Sequence, residues 1–201
     1  VIGYDRIPTA MLSTSIPQHH PQPLRELRER VKDILAGCGM QEITSYSLTS
    51  LGALQRVEAT SGEVRPLRLA NPMSAEQEYL RTSLRSNLLA TVARNALNAD
   101  GGLRLFEVGR VYIAQETGLP QERETLGAAF WGRRSPSAWL GEKGDLDFYD
   151  ARGVAEALLA ELGIKPAFEP AQDAVLHPAR TARIVAGQTP LGIVGEVHPR
   201  I

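Results

Sequence analysis

Apolar positions recur at helical spacing in three stretches of this chain. From Leu24 to Cys38, the residues Leu24, Leu27, Val31, Ile34, Leu35 and Cys38 fall at i, i+3, i+7, i+10, i+11 and i+14, opposite a face of Arg, Glu, Lys and Asp. Gly37 and Gly39 follow as a stop. From Ser83 to Asn98, a stripe of Leu84, Leu88, Leu89, Val92, Ala96 and Leu97 predicts a second helix, with Thr82 or Ser83 as N-cap. From Tyr149 to Leu162, Val154, Leu158 and Leu162 predict a third, capped by Asp147 or Asp150 and stopped by Gly163.

Between the second and third helices the period changes. Leu103-Arg-Leu-Phe-Glu-Val-Gly-Arg-Val-Tyr-Ile113 and Glu124-Thr-Leu-Gly-Ala-Ala-Phe-Trp131 read as the arms of a long β-hairpin in the middle of an antiparallel sheet. Gly109 reads as a break or bulge in the first arm. The second arm, small and apolar, reads as a central strand covered on both faces, and Gly118 and Pro120 mark a solvated tip.

Shorter strands are expected at Gln41–Leu48, Pro66–Ala70, Pro166–Glu169, Arg183–Ala186 and Leu191–Val197, with a short helix at Thr49–Val57. Gly62 marks a turn, and residues 132–143 read as a loop around Trp139. Four prolines place residues 1–23 in a tail and linker ahead of one domain at 24–201.

Composition adds mainly exclusions. The chain has 201 residues, 43% hydrophobic and 22% charged, with a net charge of −1, an ordinary globular profile without the basic surface that nonspecific polyanion binding needs. The single cysteine, Cys38, excludes an internal disulfide and a cysteine-rich metal site, and fits a reducing, cytoplasmic setting. No apolar run approaches membrane-spanning length, so no membrane role is expected. The chain begins at Val1, which points to a piece of a longer polypeptide.

Candidate chemistry is sparse. The phosphate-cradling loop, the dinucleotide-binding glycine unit and the serine elbow are all missing from the sequence. Cys38, on an apolar helix face, reads as an inert thiol. His177, His198 and Glu196 permit a two-His-one-carboxylate metal site. The favoured alternative makes His177-Pro178 and His198-Pro199 turn residues whose rings bond nearby backbone or carboxylates. Arg81, Arg85, Arg94, Arg104, Arg110 and Arg180 could together form an anion site if the fold converged them.

Several stretches together carry a resemblance. Val1-Ile-Gly-Tyr-Asp-Arg-Ile-Pro8, Thr44-Ser-Tyr-Ser-Leu48, Asn71-Pro72, Leu80-Arg-Thr-Ser-Leu84, Phe106-Glu-Val-Gly-Arg-Val-Tyr112, Phe148-Tyr-Asp-Ala-Arg-Gly153, Leu176-His-Pro-Ala-Arg-Thr-Ala182 and Gly192-Ile-Val-Gly-Glu-Val-His-Pro199 stand in one order and spacing. Together they resemble the β subunit of bacterial phenylalanine–tRNA ligase over nearly the whole chain. Arg152 stands where that family often has lysine, which keeps the charge.

The resemblance implies an α+β, class II aminoacyl-tRNA synthetase-like fold: an antiparallel sheet flanked by helices, with residues 1–23 as the end of a preceding module. It implies a partner, the catalytic α subunit, in an (αβ)2 assembly, with contact to tRNA(Phe) as a further role. ATP and magnesium are expected for the whole enzyme but not for this piece, and the family's magnesium ligands would lie before Val1. Leu24, Leu27, Val31, Ile34 and Tyr46 are the candidate α-subunit interface. Arg81, Glu107, His177, Arg180, Glu196 and His198 are motif residues without an assigned role.

Catalysis itself is not expected. Class II adenylation needs a fixed cation for the ATP α-phosphate directly after a segment like Gly109-Arg-Val-Tyr112, and here Ile113 stands there without a donor. The facing Gly127-Ala-Ala-Phe-Trp131 likewise lacks polar side chains able to hold ATP or an amino acid. The alternatives are an active adenylating domain and an unrelated α+β binding domain.

Overall fold

A computed structural model describes residues 3–201 except 12, 14, 17, 19, 58–64, 100 and 136–143. The expectations at Gly62 and Trp139 lie outside the described residues.

Helix α1 (Pro23–Gly37) opens with proline at its first position, where the missing N–H costs nothing. It closes at Gly39, whose φ of 77° suits glycine alone without strain. Leu35 is fully buried, while Val31 and Ile34 are half-buried. Strand β1 (Gln41–Glu42) then runs parallel to the first hairpin arm, and the Ile43 N–H extends the pairing to the Phe106 carbonyl at 2.8 Å.

The expected single strand Gln41–Leu48 is in fact divided. Ser45 turns towards Glu107 and gives it both backbone N–H (3.3 Å) and hydroxyl (2.6 Å), which ends the ladder. The chain resumes as β2 (Leu48–Thr49), followed by helix α2 (Leu51–Val57). Strand β2 pairs antiparallel with β3 (Tyr79–Leu80). The strand expected over Pro66–Ala70 is reduced to one bridge, Arg68 to Tyr79.

Helix α3 (Arg85–Asn95) buries Leu88 and Val92, with Leu84 buried at its N-cap. Leu97, expected on the same stripe, is 94% exposed: at about 100° per residue it lies roughly 220° round from Leu84, away from the buried face.

The hairpin is formed by β4 (Leu103–Ile113) and β5 (Gln121–Trp131), with every residue in register from Leu103–Trp131 to Ile113–Gln121. Gly109 therefore makes no bulge. Nor is β5 central: the sheet order is β1–β4–β5, and β5 residues are half-buried or exposed along their length. Its small residues reflect the close approach of α3, described below, rather than cover on both faces.

Helix α4 (Phe148–Glu161) begins with a capping box. Asp147 accepts the N–H groups of Tyr149 (2.8 Å) and Asp150 (3.3 Å), and Asp150 accepts the N–H of Asp147 (2.8 Å). Asp147→Ala is expected to cost about 1 kcal/mol in a denaturant melt. The guanidinium of Arg134, hydrogen-bonded to Asp150, holds that carboxyl below the usual carboxylate range. Its stabilisation is full above the ordinary aspartate pKa and is lost as pH falls through the lower folded value. Asp150→Asn should therefore flatten the acid limb of a stability–pH curve.

The chain ends in a second antiparallel sheet, β6 (Ala167–Pro170), β7 (Leu176–Ala186) and β8 (Thr189–Val197), turning at Gly187 with φ of 60°. Two cores sandwich the hairpin. On one face of β4, Phe106 meets Leu35, Met40 and Leu158 from α1 and α4. On the other, Leu105 and Val111 meet Leu84, Leu88 and Val92 of α3.

Candidate functional site

The face of the hairpin turned to α3 carries Leu105, Glu107, Gly109, Val111 and Ile113 on β4, opposite Ala129, Gly127, Thr125, Arg123 and Gln121 on β5. Both residue sets that the sequence singles out for chemistry, Ile113 and the Gly127 region, lie on or beside it. Helix α3 covers this face around Leu105, Val111 and Gly127, while Arg123 and Gln121 towards the tip are exposed. A Cβ added to Gly127 would stand 2.6 Å from Leu88 Cδ1 and 3.0 Å from Leu84 Cβ. Glycine is required here for space, since φ is not in the left-handed region.

Beside this closed face lies a buried charge cluster. Arg81, 3% exposed, leaves β3 just before α3, and Glu107, 2% exposed, points from the middle of β4. Arg81 Nη1 donates to Glu107 Oε1 at 2.8 Å and to Ser45 Oγ at 2.9 Å, while its Nε donates to the Arg110 carbonyl at 2.8 Å. Backbone bonds frame the pair: the Arg81 N–H reaches Ser47 O, and the Tyr112 N–H reaches Arg81 O, both at 2.9 Å. Gly109 makes room for the guanidinium, because a Cβ there would stand 2.4 Å from Arg81 Nη2. The cation nearest the hairpin face is thus committed to a carboxylate, a hydroxyl and a carbonyl. The cluster ties the β1–β2 connection, β3 and the hairpin together.

The other arginines do not converge. Arg85 pairs with Asp173, Arg110 with Glu122 and Glu124 at the hairpin tip, and Arg180 with Glu196 across β7–β8. Arg104 donates to the Arg134 carbonyl, and Arg94 to Ala90 O within its own helix. No shared anion site results.

His177 and His198 do come together, with rings stacked 6.1 Å apart. Each Nδ1 accepts a backbone N–H two residues on, from Ala179 and Arg200, both at 3.2 Å. Glu196 turns to Arg180 instead. Among the described residues no group of three or more His, Cys, Asp or Glu side chains could hold a metal ion. His177 lies within β7, where the ladder is irregular between Leu176 and Thr181, rather than in a turn.

The candidate interface residues separate. Leu24 (62% exposed), Leu27 (46%) and Tyr46 (77%) stand free, whereas Val31 and Ile34 pack against the Phe106 core. Arg28 and Arg110 border the exposed end of α1, both near Glu124. No helix among the described residues is long and apolar enough to cross a membrane.

Sequence alone missed the role of Gly109 and Gly127, although a glycine within an otherwise regular strand is the available signal for a close approach.

Comparison with known proteins places this architecture. The family model described as "Phenylalanyl tRNA synthetase beta chain CLM domain" matches residues 7–201. The phenylalanine–tRNA ligase beta subunit of Dehalococcoides mccartyi (strain ATCC BAA-2266) is 39% identical over 200 residues, covering 100% of this chain and 25% of that protein. The Geobacter sulfurreducens beta subunit is 35% identical, covering 99% of this chain and 26% of that protein. This chain therefore spans about a quarter of the length of these relatives. Among solved structures, pyrrolysyl-tRNA synthetase from Desulfitobacterium hafniense superposes with a TM-score of 0.63 at 19% identity, over 88% of this chain and 60% of that one. At that identity the likeness speaks for the class II synthetase fold alone. The match over nearly the full length, by family model and by relatives alike, makes this chain a member of the phenylalanyl tRNA synthetase beta chain CLM domain family.

Proposed function

We propose that this chain is a catalytically silent, synthetase-like module of a cytoplasmic phenylalanine–tRNA ligase β subunit. Its work is to dock with the catalytic α subunit in an (αβ)2 assembly and so support aminoacylation of tRNA(Phe). The observation that carries the silent reading is the closure of the hairpin face, where Leu84 and Leu88 occupy the space above Gly127. ATP and an amino acid need an open, polar face with a fixed cation. Ile113 offers no donor, and Arg81 is held by Glu107. These residues do not fit ATP, and no adenylation step is assigned to them.

Calorimetry of the chain with ATP or phenylalanine should show no binding at micromolar concentration. A micromolar ATP site would sink the silent reading and favour an adenylating domain.

For docking, the exposed end of α1 is the better supported surface: Leu24 and Leu27 form an apolar centre rimmed by Arg25 and Arg28. Leu27→Asp should weaken association with separately made α subunit by about tenfold. Sizing of the mixture by light scattering reads this directly. An undiminished complex in that variant would move the interface elsewhere, and the absence of any complex with the unaltered chain would remove the assembly role.

A further inference from the structure

The β6–β7–β8 sheet shares no strand ladder with β1–β4–β5 among the described residues. On one side α4 joins the two, running against β8 and laying the Arg152 guanidinium over the Phe168 ring of β6 at 4.5 Å. On the other side an ion pair spans the junction. Arg85, the first residue of α3, donates to both carboxylate oxygens of Asp173, at 3.1 and 2.8 Å.

Each end of this pair is anchored to something larger. Leu84, immediately before Arg85, is one of the two side chains seated over Gly127. Asp173 also accepts the Val175 N–H at 2.9 Å, and Val175, fully buried, accepts the His198 N–H at 2.8 Å through its carbonyl. The pair thus connects the first turn of α3 to the place where the start of β7 meets the end of β8. Burial works against a charge on Asp173, but Arg85 and the N–H groups of Val175 and Leu176 outweigh it and keep the carboxyl below its usual range.

We propose that Arg85–Asp173 is a latch that couples the two sheets: the seating of α3 on the hairpin and the closure of the β7–β8 end open and shut together through it. Two other ion pairs of these elements stay local. Arg152–Glu156 lies within α4, and Arg180–Glu196 lies within the second sheet. The pair is half-buried rather than sealed, so neutralising Asp173 or offering Arg85 a competing carboxylate releases it. This inference stands whether or not the chain is silent in catalysis.

Amide hydrogen exchange tests it, because local opening is read segment by segment. In Asp173→Asn, exchange should quicken by about tenfold or more in two separated segments at once, Leu88–Val92 of α3 and Leu176–Thr181 of β7. The amides of Leu105–Val108 at the hairpin centre should not change. The charge-swapped double variant Arg85→Asp/Asp173→Arg should restore Leu88–Val92, although position 173 then no longer accepts the Val175 N–H and the start of β7 stays faster. Glu156→Gln, which breaks the pair within α4, should leave both segments as they were. Faster exchange confined to Asp173–Leu176 overturns the latch, as does uniform acceleration along the chain, which would make the pair an ordinary stabilising contact. Failure of the charge swap to restore α3 overturns it too.

Discussion

Glu107→Ala is expected to lower the unfolding free energy by about 3–5 kcal/mol, the usual cost of leaving one member of a buried ion pair alone. The reason lies in the surroundings of Arg81. Its guanidinium is 3% exposed, and among the described residues Glu107 supplies its only carboxylate contact. Without that carboxylate the cation stays in a low-dielectric site with only Ser45 and the Arg110 carbonyl to solvate it. Ser45 also loses the acceptor of its 2.6 Å hydrogen bond, so the β1–β2 connection loosens. Replacing both ionic groups together, as Arg81→Met/Glu107→Leu, should recover most of the loss, since an apolar pair needs no compensating charge. Urea unfolding of the three proteins checks this. A single-variant loss under about 1 kcal/mol would mean that water reaches Arg81 and that the cluster is not sealed.

Gly127→Val is expected to cost about 1–3 kcal/mol through overpacking. Its Cβ would stand 2.6 Å from Leu88 Cδ1 and 3.0 Å from Leu84 Cβ, and the second contact is to a backbone-proximal atom that cannot swing aside. Leu88→Ala alone should also destabilise, by about 2–5 kcal/mol, because Leu88 is 3% exposed and its truncation leaves a cavity. The informative protein is the double variant. If α3 and the hairpin face are complementary as described, Gly127→Val/Leu88→Ala should be more stable than the sum of the single losses predicts, with a coupling of about 1 kcal/mol or more. Strict additivity would show that α3 does not sit over Gly127. The same cycle bears on function, since it asks whether the surface that an active relative would need open is filled by the chain's own side chains.

Much of the fold was legible from periodicity. The three long helices lie where Leu, Val and Ile recur at helical spacing, with ends within a few residues of Gly39, Asn98 and Gly163. The hairpin arms match Leu103–Ile113 and Glu124–Trp131 closely. A local pattern can report these because it reflects a face buried by the element itself. The division of Gln41–Leu48 was not legible, because it depends on Ser45 reaching a carboxylate sixty-two positions away. The edge position of β5 was hidden for a related reason: small apolar residues look alike whether a second strand or a helix lies against them.

The site followed the same division. The expectation that Ile113 and the run from Gly127 to Trp131 carry no adenylation chemistry rests on the family resemblance together with residue type. The arginines were undecidable at that level. Only the folded chain assigns Arg81 to Glu107, Arg85 to Asp173 and Arg180 to Glu196, and so dissolves the imagined anion site. Likewise His177 and His198 approach each other, but each ring spends its Nδ1 on a backbone N–H and Glu196 pairs with Arg180. By itself the sequence determined the helices and the hairpin, since these follow from residue types and short-range spacing. The tertiary structure alone decided which charges pair and what fills the hairpin face, because both depend on partners distant in the chain that meet only when the cores close.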